Sequence, residues 1–278
     1  MEKTWRLLTN IIAAVLMGLV TACGSGSPGT GTVPPSLSPS LPADPATPGQ
    51  SSWERHQEDG GRYFDQGMDC VDAEDETCAL EAFENAIAEY SKAIELNPGA
   101  IKSYYNRGQA HKERGDIYFD RENSAYKTEY ENARGNFSEV IEQQPEEQEM
   151  LVDALYHRGI LYYQDASFAE AIADFDRAIE LAPEDSELYL QRGDTYAEMG
   201  KTDLAIADFS KAIAMPPDNP EAYYLRARAY EDKGENALAL ADFEKVLELD
   251  KERGEVPVEV KEFAQKRVEE LLQSVEKP

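Results

Sequence analysis

Cys70 and Cys78 bracket an acidic run that includes Asp72, Glu74, Asp75 and Glu76. On one straight helix, eight residues would hold the two sulfurs about 12 Å apart, too far for a bridge. A loop between them allows a disulfide, so a bridge and a pair of free thiols are both open readings. The acidic run lacks the spacing and the glycine of a calcium loop and reads as solvated. A second series sets opposite charges at fixed steps. Arg158, Arg192 and Arg226 recur every 34 residues with Arg107 upstream, and Asp174, Asp208 and Asp242 recur likewise with Glu89 upstream. Planar guanidinium suits bidentate pairing with carboxylates. The expectation is a ladder that joins neighbouring units, with Asp174 on Arg192 and Asp208 on Arg226. His56, His111 and His157 are scattered. No metal-ligand spacing, nucleophile elbow or phosphate-cradling glycine loop accompanies them. The chain is therefore expected to be no enzyme and to carry no cofactor or metal.

The elements that position these residues repeat at the same step. VDALYHRGILYYQDASFAEAIADFDRAIELAPED starts at Val152, SELYLQRGDTYAEMGKTDLAIADFSKAIAMPPDN at Ser186 and PEAYYLRARAYEDKGENALALADFEKVLELDKER at Pro220. Each unit holds two apolar-periodic stretches, which predict two antiparallel helices. Small residues (Gly159, Gly193, Ala227, and Ala171, Ala205, Ala239) let the helices approach closely. Phe175, Phe209 and Phe243 fill the space between them, and Pro183 and Pro217 end the second helix. In the third unit Lys251 stands where proline is expected. This pattern resembles the tetratricopeptide repeat (TPR) family. The resemblance implies an all-α solenoid of about five helix-pair repeats plus a C-terminal capping helix. Expected boundaries are about 53–100, 101–147, 152–185, 186–219 and 220–253, with the cap at 254–278. The repeat at Ile101 carries thirteen extra residues around 116–130 without Pro or Gly. They are expected to lengthen both helices by about two turns into a protruding hairpin.

A helix pair cannot bury its own apolar face, so such copies stack and present a long groove. The resemblance places four positions of each first helix on the concave face. They give Lys102, Tyr105, Gln109 and Lys112, then Asp153, Tyr156, Ile160 and Tyr163, then Glu187, Leu190, Asp194 and Ala197, then Glu221, Tyr224, Arg228 and Glu231. Tyr105, Tyr156 and Tyr224 form a row that suits an interface, since tyrosine is broad, rigid and polar-tipped. Mutual packing across a tightly wound groove is the competing reading of that row.

The ends of the chain concern place. Lys3 and Arg6 precede an apolar run over 7–20 that is short for a membrane span. Val20-Thr21-Ala22-Cys23 follows and resembles the lipobox of bacterial lipoproteins, which implies a signal peptide over 1–22 and an acylated Cys23. Residues 23–52, rich in Gly, Ser, Thr and Pro, are expected to be a disordered tether. The implied place is the extracytoplasmic side of a bacterial membrane, the outer one where a cell has two, because Gly24 is not the retention Asp. The net charge of −28 is spread along the chain and argues against nucleic acid. Protein partners held in the groove, in an envelope adaptor, are the expected function. A self-associating structural module is the alternative.

Overall fold

The computed structural model describes residues 50–215, 219–254 and 256–276. The expected signal peptide over 1–22, Cys23, nearly all of the segment expected to be a tether, and Pro217 lie outside them. The described residues form eleven helices and no strand. None of these helices is long and apolar enough to cross a membrane. Consecutive helices pair and stack in chain order. The pairs are α1 (Ser52–Asp72) with α2 (Glu76–Leu96), α3 (Ile101–Asp120) with α4 (Tyr126–Gln143), and α5 (Gln148–Gln164) with α6 (Phe168–Leu181). They continue with α7 (Ser186–Glu198) on α8 (Thr202–Ile213) and α9 (Pro220–Asp232) on α10 (Asn236–Arg253). The last helix, α11 (Val258–Glu276), closes the stack on α10.

Local chemistry sets the helix ends. Asp185 and Asn219 cap α7 and α9, their side-chain oxygens accepting the Glu187 and Glu221 N–H groups at 3.0 and 2.9 Å. Without the expected proline, α10 runs on through Lys251. It ends at Gly254, whose φ of 68° suits a residue lacking Cβ. The turn inside every pair needs one left-handed residue. Gly200 and Gly234 supply it in two turns, whereas Glu74, Glu122 and Ala166 adopt it as non-glycine residues.

The core repeats with the helices. Phe175, Phe209 and Phe243 are buried, and Gly159 and Gly193 face the first two so closely that an added Cβ would lie 2.7 Å from the ring. The first two pairs use this contact twice. Gly60 and Gly67 face Tyr90 and Phe83, and Gly108 and Gly115 face Phe137 and Tyr130. Seven residues are two helical turns, so glycines and aromatics at that spacing zip two longer helices together. The stretched repeat at Ile101 is thus one of two long hairpins. The earlier one is formed by the 21-residue helices α1 and α2, and in the later one the extra residues lengthen both helices.

A disulfide between Cys70 and Cys78 joins the end of α1 to the start of α2, with Cα atoms 5.7 Å apart. The Arg121 guanidinium at the end of α3 pairs with Glu76, tying the tip of one long hairpin to the other.

Candidate functional site

The arginine series does form a ladder, with partners different from those expected. Arg158 Nε and Nη2 donate to Asp174 at 2.8 and 2.6 Å, Arg192 to Asp208 at 2.8 and 2.7 Å, and Arg226 to Asp242 at 2.8 and 2.8 Å. Each bidentate pair lies within one repeat. Asp174 is therefore not the partner of Arg192, nor Asp208 of Arg226. The link between repeats is the third arm of the guanidinium. Nη1 reaches the previous repeat at Ser91 from Arg107, Ser138 from Arg158, Asp176 from Arg192 and Ser210 from Arg226. The sequence carried that signal, because each of these four residues directly follows a core aromatic. Arg107 closes its own repeat on Asn136 at 2.8 Å. Glu89 pairs with His56 and Lys92 instead of with an arginine.

Side-chain bonds also run along the first helices from one repeat to the next. Gln109 Nε2 lies 3.2 Å from His157 Nε2, Tyr156 donates to Glu187 at 3.3 Å, and Tyr163 donates to Asp194 at 2.7 Å. The face expected to form the groove is thus cross-braced. Tyr105 and Tyr156 are half-buried on it. Gln109 also donates to Tyr105 at 3.2 Å, and the Tyr105 ring packs on Phe137 and His157.

Lys112 is held by Asp116 at 2.8 Å and Glu113 at 3.2 Å. Burial opposes its charge, yet those two carboxylates outweigh it and raise its pKa. Lys102 is exposed and pairs with Glu147 at 3.3 Å. Ile160 and Arg228 are half-buried. Two expected groove residues belong to the core instead. Leu190 is 1% exposed, and Tyr224 is 5% exposed with its ring against Phe243 and against Phe263 of the capping helix. The tyrosine row is therefore Tyr105 and Tyr156, because the cap covers its third member.

The electrostatics of this face are acidic. Burial raises the Asp153 carboxyl, helped by Glu149 and Asp185. Burial also raises Glu187 and Glu221, which stand at matching positions of successive repeats. Asp194 is pushed up to about 6 by burial, with the Tyr163 hydroxyl and Arg228 opposing the shift and Glu198 adding to it. Conversely, burial and then Lys112 push His157 down to about 3, so its ring is neutral.

A pH dependence follows from Asp194. Its folded pKa of about 6 lies above the ordinary 3.8, so the folded chain holds a proton that the unfolded chain releases. The resulting stabilisation is complete below about pH 3.8 and is lost as pH rises through about 6. Melting of wild type and Asp194→Asn between pH 4 and 7 is expected to show wild type losing on the order of 2 kcal/mol more across that window. Parallel curves for the two proteins would contradict the assignment.

Residues 152–185 and 190–253 match tetratricopeptide repeat families, and residues 75–115 match a TPR repeat family. Together these stretches span about half of the chain. No curated protein matches it. Among solved structures, one described as MamA aligns with 68% of this chain and 97% of its own length at 23% identity, with a TM-score of 0.53. A MamA structure from Desulfovibrio magneticus RS-1 aligns with 70% of this chain and 97% of its own at 18% identity, with a TM-score of 0.55. At such identities the likeness describes the fold.

Proposed function

Because this chain belongs to the tetratricopeptide repeat family, we propose that it is a scaffold that docks a protein segment along the face of its first helices. A lipid on Cys23 would anchor it to a bacterial membrane, with residues 23–52 as the tether. The observation that carries the docking reading is the braced face itself. Tyr105, Tyr156 and Asp194 are held by the neighbouring repeat yet are only half-buried, so they form a rigid surface of polar-tipped rings and a carboxylate, with half-buried Ile160 on the same helix as Tyr156. Rigid side chains lose little entropy on binding, which favours such a surface as a docking platform. The acidity of the face suits a segment bearing cations.

The test is crosslinked capture from the membrane fraction. Wild type is compared with Ile160→Glu on the first-helix face and with Leu238→Glu, an exposed residue of the second helix α10. The expected result is loss of partner with Ile160→Glu and retention with Leu238→Glu. Equal recovery by both would remove the docking surface from this face. A Cys23→Ser chain that stayed in the membrane fraction would remove the anchor. Sedimentation across a concentration series distinguishes the self-associating alternative, which requires mass to grow with concentration.

A further inference from the structure

The first repeat breaks the arginine ladder in a specific way. In repeats two to five the residue before the small helix-packing residue is Arg107, Arg158, Arg192 or Arg226, and the residue before the facing aromatic is Asn136, Asp174, Asp208 or Asp242. Gly60 faces Tyr90 as Gly108 faces Phe137, which fixes the correspondence of the first repeat. The two positions are then Asp59 and Glu89. The cation of the ladder has become an acid, leaving two carboxylates directed at the space that a guanidinium occupies elsewhere.

A third group turns toward the same space. His56 stands one helical turn before Asp59, and its Nδ1 lies 2.6 Å from Glu89 Oε2. One ligand atom from each of His56, Asp59 and Glu89 lies within 4.8 Å of the others. A tetrahedral ion with bonds of about 2.0–2.2 Å needs ligand atoms roughly 3.4 Å apart, so side-chain rotation alone would close the site. We propose that His56, Asp59 and Glu89 bind a divalent transition ion of the zinc class, which takes the place held by the ladder arginine in the other repeats.

The donor set supports that class. Imidazole with two carboxylates suits zinc, whereas magnesium and calcium favour oxygen alone. Neighbouring cations orient the carboxylates. Lys92 holds Glu89 at Oε1 at 2.7 Å while Oε2 turns to His56, and Arg62 pairs with Asp59 at Oδ1. Such outer partners are characteristic of metal ligands. The three side chains are 29, 18 and 17% exposed, which gives an ion a route from solvent and room for a water ligand. Zinc would replace the proton shared between His56 Nδ1 and Glu89 Oε2, and that proton would pass to solvent. The His56–Glu89 interval of 33 residues lies across two helices, so no local spacing displays the site.

The full chain, without a histidine tag, is titrated with zinc chloride against a chromophoric chelator, with melting followed in parallel. One zinc per chain is expected, together with a rise in melting temperature. His56→Ala should weaken this binding by more than about tenfold. Asp59→Arg rebuilds the ladder arrangement opposite Glu89, so it should melt no lower than wild type yet lose the zinc site. The same stoichiometry and affinity in Asp59→Arg, or no zinc bound by wild type beyond that variant, would overturn the proposal. A folded His56→Ala chain with wild-type affinity would overturn it equally. His111→Gln, at a separate histidine paired with Glu129, should leave the site intact.

Discussion

Phe209→Ala is expected to destabilise the folded chain by about 3–5 kcal/mol, read as a lowered urea midpoint by circular dichroism. Phe209 is 1% exposed and lies over Gly193, between α7 and α8. Two costs combine in this change. The ring loses its transfer out of water, and the backbone on the Gly193 side has no side chain with which to fill the cavity. Because repeats contribute through their neighbours, a weakened fourth repeat should also divide one unfolding transition into two. The converse change tests the same contact. Gly193→Ala would set a Cβ 2.7 Å from the Phe209 ring and 3.2 Å from Asp208 Cβ, an overpacking that costs about 1–3 kcal/mol. Joined with Phe209→Leu, it should cost less than the two changes added. Simple additivity would show that the glycine and the ring do not share one space.

Arg192→Met is expected to cost roughly 3 kcal/mol, most of it from Asp208 rather than from the lost arginine. Asp208 is 7% exposed and accepts both bonds of the guanidinium fork, so the change leaves a buried carboxylate without its cation. The third arm, on half-exposed Asp176, lies in a solvated setting and contributes little. The double change Arg192→Met with Asp208→Leu removes both charges and should recover most of the loss, since apolar replacement of a whole buried pair is often neutral. Urea melts of the two single variants and the double one provide the cycle. A double variant as unstable as Arg192→Met would mean that the pair matters as a network and not through an uncompensated charge.

These residues mark how far the sequence was legible. The ladder positions were visible because period and charge are one-dimensional properties. Their partners were not, because pairing depends on how far the second helix of a repeat rotates toward its own first helix. Sixteen residues separate Arg192 from Asp208 in one direction and from Asp176 in the other, so spacing alone could not choose. The second long hairpin was legible from its insertion. The first was legible only in its expected bounds of 53–100, because its first helix holds no familiar motif. The glycines at 60 and 67 acquire meaning only opposite the rings at 90 and 83. Leu190 and Tyr224 occupy expected groove positions but are buried, Tyr224 because α11 folds back over it.

The sequence by itself determined the family, the helical architecture and the register of small residues and rings, because each depends on local periodicity and on volumes that must match in every repeat. It also displayed the cysteines that close the first hairpin. Only the tertiary structure decided which acid each arginine meets, which tyrosines stay at the surface, and that His56, Asp59 and Glu89 converge. Those outcomes depend on distances between separate helices, which packing sets to within an ångström and which no interval along the chain encodes.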